Sequence, residues 1–226
     1  MAITGIALLG FVLVHMIGNL KAYLGPDDMN HYSEALRDLF TPLFPRSFVL
    51  WTVRLGLIAA FALHIHAAYA LTVMNHRARP ASYASKRDYV AANFASRTMR
   101  WSGVIVLLYL AFHLADLTAG SANPRYVRGD AYNNLVHSLE RPAVAALYIV
   151  ANVALGVHIF HGAWSLFQSL GLNNPRFNQW RRNFAGGFAL LIVLGNLSFP
   201  IMVQADVLSY DQHERDNVVA LHEAGH

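Results

Sequence analysis

The first twenty residues, MAITGIALLGFVLVHMIGNL, carry no charged side chain, and four later stretches (48–74, 101–119, 142–170 and 183–207) are nearly as apolar. A helix needs roughly 20 such residues to cross a bilayer, because in hydrocarbon every backbone N–H and C=O must be paired within the segment. The pattern predicts an all-α integral membrane bundle of five transmembrane helices, at about 2–20, 48–74, 101–119, 142–170 and 183–207, in a single domain covering 1–226. Composition agrees: 55% hydrophobic, 13% charged and a mean hydropathy of +0.34 exclude an ordinary water-soluble domain. The N-terminal stretch lacks the basic start and small-residue cleavage site of a signal peptide and reads as the first helix.

Between the first two stretches lies a polar segment. Its Met29, Tyr32, Leu36 and Phe40 recur at three- and four-residue spacing, which predicts an amphipathic surface helix at about 28–40. The segment 75–100 holds six Lys or Arg against one Asp, and Arg176, Arg181 and Arg182 form a second basic loop. Two helices separate these loops, so both fall on one side, and with five helices the positive-inside rule predicts a cytoplasmic N-terminus and an external C-terminus. The formal charge of +4 then belongs to loops and does not indicate nucleic acid. Residues 208–226 read as a polar, His-rich tail.

The chain has twelve histidines and no cysteine. Without thiols there is no disulfide, no thiolate-held zinc and no iron-sulfur cluster held by this chain alone. Ionisable side chains inside a membrane usually mark function. At about 1.5 Å of rise per residue, His15 and His113 fall in the outer half of the membrane. His64 or His66 falls at the same inner level as His158 or His161. Two levels, each supplied with imidazoles from two helices, suit two stacked b-type haems with both axial positions filled, an arrangement for electron transfer. His66 lies about 200° around its helix from His64, so only one of them can face a shared centre. His158 and His161 share a face, and one of them is free to meet a propionate or a quinone.

The quoted N-terminal stretch, with NHYSEALRDL, LHIHAAYALTVMNHRARP, His113-Leu114 and above all HIFHGAWSLFQSLGLN, resembles the single-chain, five-helix cytochrome b membrane anchor of bacterial succinate dehydrogenase and fumarate reductase. The resemblance implies a subunit of respiratory complex II in the bacterial inner membrane, with a flavoprotein (FAD) subunit and an iron-sulfur subunit on the cytoplasmic face. Electrons would pass from the iron-sulfur subunit through two haem b groups to menaquinone or ubiquinone. The family's axial positions carry over to His15, His64, His113 and His158, with His66 and His161 leaving the inner set ambiguous. An inner [2Fe-2S] cluster is the alternative, and partner chains would have to supply its two thiolates. A stand-alone di-haem carrier is a second alternative, and a higher oligomer of the complex is left open.

A quinone needs an apolar slot with donors for its carbonyls. Trp164, Ser165 and Gln168 at the cytoplasmic end of the fourth helix are candidates, with Tyr69, Trp101 and Ser102 on the same side. Asp116, one turn beyond His113, either orients the second nitrogen of that ring or faces the outer interface. No catalytic residue is expected, since the chain has no soluble domain for a dicarboxylate and a flavin.

Overall fold

The computed structural model describes residues 1–78, 90–172 and 174–224, without the side chains of 90–97, 214 and 221–224. It is helical throughout, with no strand among the described residues. Eight α-helices follow in order: α1 Ala2–Asn19, α2 Pro26–Ala35, α3 Phe48–Ala78, α4 Val90–Leu117, α5 Ala131–Glu140, α6 Pro142–Ser169, α7 Asn178–Gln204 and α8 Gln212–Ala224. Five segments are long and apolar enough to cross a membrane: Ala2–Leu24, Phe48–Ala78, Thr98–Leu117, Pro142–Ser169 and Pro175–Gln204. The protein is a multi-pass membrane protein.

Helix boundaries follow local chemistry. Pro142 opens α6, where its missing N–H costs nothing. The helix closes through Gly171, at φ +77°, with Leu172 N–H donating to the Phe167 carbonyl at 2.9 Å. The surface helix α2 stops at Ala35, short of the expected Phe40, and turns follow. Phe40 takes a positive φ of 63°, and Pro42 and Pro45 remove two backbone donors beyond it. In α4 the helix begins at Val90 rather than near Trp101, since no glycine or proline interrupts 90–100. Arg181 and Arg182, read from sequence as loop, lie in the first turns of α7.

Within the bundle α6 is central, packed against α4 and α7. Gly156 lets α6 and α7 close up, because a Cβ there would overlap the Val193 side chain. By contrast, α3 has no buried residue along its length and packs chiefly on α1. Its exposed Trp51, Leu55, Ile58 and Leu63 face lipid.

Two elements differ from the polar loop and polar tail read from sequence. Helix α5 is buried from Tyr132 to Leu139, and α8 occupies part of the tail. They cover the end of the bundle opposite the basic loops, joined there by α2. Fully buried Asp130 ties the three together. Its side chain caps α5 by accepting from Asn133 N at 3.1 Å, and it accepts from Asn30 Nδ2 of α2 at 3.2 Å. It also pairs with Arg215 Nε of α8 at 3.1 Å. We expect Asp130→Ala to destabilise the purified protein by about 3 kcal/mol, from a lost cap and a stranded, buried Arg215. Thermal unfolding in detergent reads this as a lowered midpoint, with Asp130→Asn intermediate.

Candidate functional site

Four helices bring histidines together at two levels. At the capped end the His15 ring of α1 lies 6.0 Å from the His113 ring of α4, centroid to centroid. Nearer the basic loops His64 of α3 lies 6.4 Å from His158 of α6. Phe11 stacks on His15 at 5.3 Å and limits its rotation. His66 is exposed, and His161 points elsewhere: its Nε2 is 3.1 Å from Thr98 Oγ1, and its Nδ1 is buried with no partner.

The hydrogen bonds around three of the paired rings favour one tautomer. Thr4 Oγ1 donates to the Met1 carbonyl at 3.0 Å and lies 3.2 Å from His64 Nδ1. With its only proton spent, the hydroxyl can only accept, so Nδ1 carries the hydrogen and Nε2 keeps its lone pair. Ser102 does the same for His158, donating to Met99 O at 3.1 Å and standing 3.3 Å from His158 Nδ1. At His113 the partner is Tyr148, whose hydroxyl donates to Asp116 Oδ2 at 2.9 Å and lies 3.4 Å from Nδ1. His15 is the exception, since its Nε2 faces Asn19 Nδ2 at 3.3 Å.

Asp116 is fully buried and does not face the outer interface. Arg141 Nη2 donates to its Oδ1 at 2.6 Å, and Ser138 donates to its Oδ2 beside Tyr148. The carboxylate therefore reaches His113 through a tyrosine, with its charge balanced from the segment joining α5 to α6. Thr4 and Tyr148 were not among the sequence candidates, because their partners sit on other helices and no spacing along the chain encodes them. Ser102, a quinone candidate from the sequence, lies beside His158.

The donor set is suited to a flat metallo-cofactor. Two imidazole nitrogens each about 2.0–2.1 Å from one metal put their ring centroids about 6 Å apart, close to both observed separations. Among the described residues no three His, Cys, Asp or Glu side chains converge on a metal site. A metal between either pair would take its remaining ligands from outside these residues. Helix α3 also makes few close backbone approaches to α4 or α6, so the His64 and His158 side chains span the space between them.

Of the other quinone candidates, Tyr69 is 69% exposed and Trp101 72% exposed on the lipid side. Ser165 is exposed and donates to the Gly162 carbonyl at 3.1 Å. Gln168 is exposed, and Trp164 Nε1 is buried without a partner.

The family model of the succinate dehydrogenase/fumarate reductase transmembrane subunit matches residues 75–197, more than half of the chain. The chain belongs to that family. The matched region takes in α4 to α6 and most of α7 of this transmembrane subunit, hence His113, His158 and His161 and the Asp116, Arg141 and Tyr148 group. His15, His64 and Thr4 lie on its N-terminal side. Comparison with curated proteins and with solved structures gave no match. Membership makes the protein a membrane component of an oxidoreductase complex engaged in electron transport.

Proposed function

We propose that this anchor carries electrons from an iron-sulfur subunit, docked on the side of the two basic loops, to a quinone in the membrane. Two haem b groups would serve it, an outer one held by His15 and His113 and an inner one held by His64 and His158. The observation that carries the reading is the pairing of imidazoles from four helices at separations suited to a shared iron. When bound, haem b supplies reversible one-electron chemistry at two depths of the membrane.

The chain's own part is to hold and orient. Thr4, Ser102 and Tyr148 fix the proton on Nδ1, presenting Nε2 as the ligating nitrogen, and such partners tune both ligand basicity and affinity. His158 is favoured over His161, whose Nε2 already meets Thr98, and His64 over the exposed His66. At His15, ligation through Nε2 displaces only the weak Asn19 contact. Iron held by two imidazoles, His15 with His113 or His64 with His158, would favour electron transfer over oxygen activation. Arg77 and Arg100 flank the first basic loop. Under the positive-inside rule they favour a cytoplasmic N-terminus, and they offer docking charge to the soluble subunits. Quinone is expected at the same end, near Ser165 and Gln168. Succinate is handled by the flavoprotein partner.

Haem analysis of the intact purified complex tests this. Two haem b per anchor are expected in a reduced-minus-oxidised spectrum and pyridine haemochrome assay. A single haem, with iron and acid-labile sulfide at the inner site, overturns it in favour of a cluster there; no haem at all removes it.

A further inference from the structure

On the lipid-facing surface between α6 and α7 runs a groove of about 510 Å³, with His161, Trp164 and Arg182 at one end and an apolar floor that includes Val157, Leu190 and Val193. Its lining extends from Val153 to Trp164 on α6 and from Arg182 to Val193 on α7, a length of about 16 Å at the helical rise. The polar end is the one nearest the loop that joins the two helices.

That end is short of acceptors. Trp164 Nε1 and His161 Nδ1 are both buried and without a hydrogen-bond partner among the described residues. An indole N–H can only donate, and leaving such a group unsatisfied costs about 1–3 kcal/mol. The Arg182 guanidinium lies 5.8 Å above the Trp164 ring, and no carboxylate pairs with it among the described residues. Nor can the helices answer its charge themselves: from Pro142 through Gln204 there is no Asp or Glu.

We propose that this groove binds an anionic phospholipid, with the phosphate at Trp164 and Arg182 and one acyl chain along the apolar floor. A phosphodiester supplies the acceptors and the negative charge that the polar end lacks. Basic pockets between membrane helices and tryptophans at headgroup depth suit such lipids. A free phosphate leaves the floor uncovered, and a quinone, being uncharged, leaves Arg182 unanswered. The proposal does not rest on the haem assignment.

Its test uses the intact complex, stripped of lipid in detergent, with the unfolding midpoint followed on addition of phosphatidylglycerol, phosphatidylcholine, inorganic phosphate or a short-chain quinone. Phosphatidylglycerol alone is expected to raise the midpoint, and native mass spectrometry should retain it on the anchor. Arg182→Gln should weaken the apparent affinity about fivefold, the factor expected for one basic residue near an anionic lipid. Leu190→Trp, which fills the floor and leaves Arg182 in place, should weaken it too, as should Trp164→Phe; these two carry the test if Arg182→Gln does not assemble. Equal responses in wild type and variants overturn the proposal. So does an equal response to phosphatidylcholine or inorganic phosphate, or displacement of the lipid by the quinone.

Discussion

His158→Ala and His64→Ala are each expected to abolish the inner haem, halving the haem content of the purified complex, while His161→Ala and His66→Ala retain both haems. The reason is geometric. His158 and His64 face one another at 6.4 Å, and each has a hydroxyl acceptor fixing its Nδ1 hydrogen. A methyl group cannot replace a ligand, and removing one of only two protein ligands removes most of the site. His66 is exposed on the lipid side, and His161 keeps its Nε2 against Thr98. The measurement is a pyridine haemochrome on each variant complex, with reduced-minus-oxidised spectra to identify the centre that is lost. Loss of a haem in His161→Ala with retention in His158→Ala would reverse the assignment. In His15→Ala and His113→Ala the surviving spectrum should be that of the inner haem.

Asp116→Ala should have the next largest effect, and on both stability and spectrum. The substitution strands three donors, from Arg141, Ser138 and Tyr148, around an emptied, fully buried carboxylate position. Breaking a buried ion pair costs about 3–5 kcal/mol, and since Arg141 is 28% exposed the lower end applies. The hydroxyl of Tyr148, released from the carboxylate, is then free to donate to His113 Nδ1. That favours the tautomer whose Nε2 carries hydrogen and cannot ligate. We expect a lower unfolding midpoint and reduced occupancy of the outer haem, with the inner haem unchanged. Tyr148→Phe separates the two consequences: it leaves the Arg141 pair intact, so any fall in stability should be smaller. The outer haem should still bind more weakly, by about 10–100-fold, the usual cost of losing a partner that orients a ligand. If Tyr148→Phe leaves the spectrum, potential and affinity of the outer haem untouched, Asp116 is a structural anchor of α4 and nothing more.

Much of this was legible in the sequence because a membrane simplifies the physics. Long uncharged runs must be helices, and depth along a helix is a linear function of residue number. That is why residue numbers alone place His15 at the level of His113, and His64 or His66 at the level of His158 or His161. Which ring turns toward which neighbour is another matter, since it depends on how helices rotate and pack. The choice between His158 and His161 is therefore open to sequence, and the positions of Ser102 and Thr98 are what favour His158 in the proposed assignment. Asp116 shows the same limit: its position suggested either an orienting role or an outer-interface one, and only the fold reveals Tyr148 between it and His113. Helix α5 was missed for a different reason. Its Tyr132, Leu135, Val136 and Leu139 follow helical spacing, but Asn133, Asn134 and Ser138 read as loop residues. Their amide and hydroxyl groups are satisfied by Asp130, Val127, Asp211 and Asp116, all outside the helix itself.

Helix α3 is held to the remainder of the bundle mainly through α1. Such a helix, once inserted, has little protein surface with which to find its seat, and a ligand shared with α6 would be its chief latch. Maturation of the subunit would then be gated by cofactor delivery, with α3 the last segment to be locked down and the first to be offered to membrane proteases when delivery fails. Its sparse contacts make α3 the helix whose place in the bundle depends most on whatever His64 and His158 share.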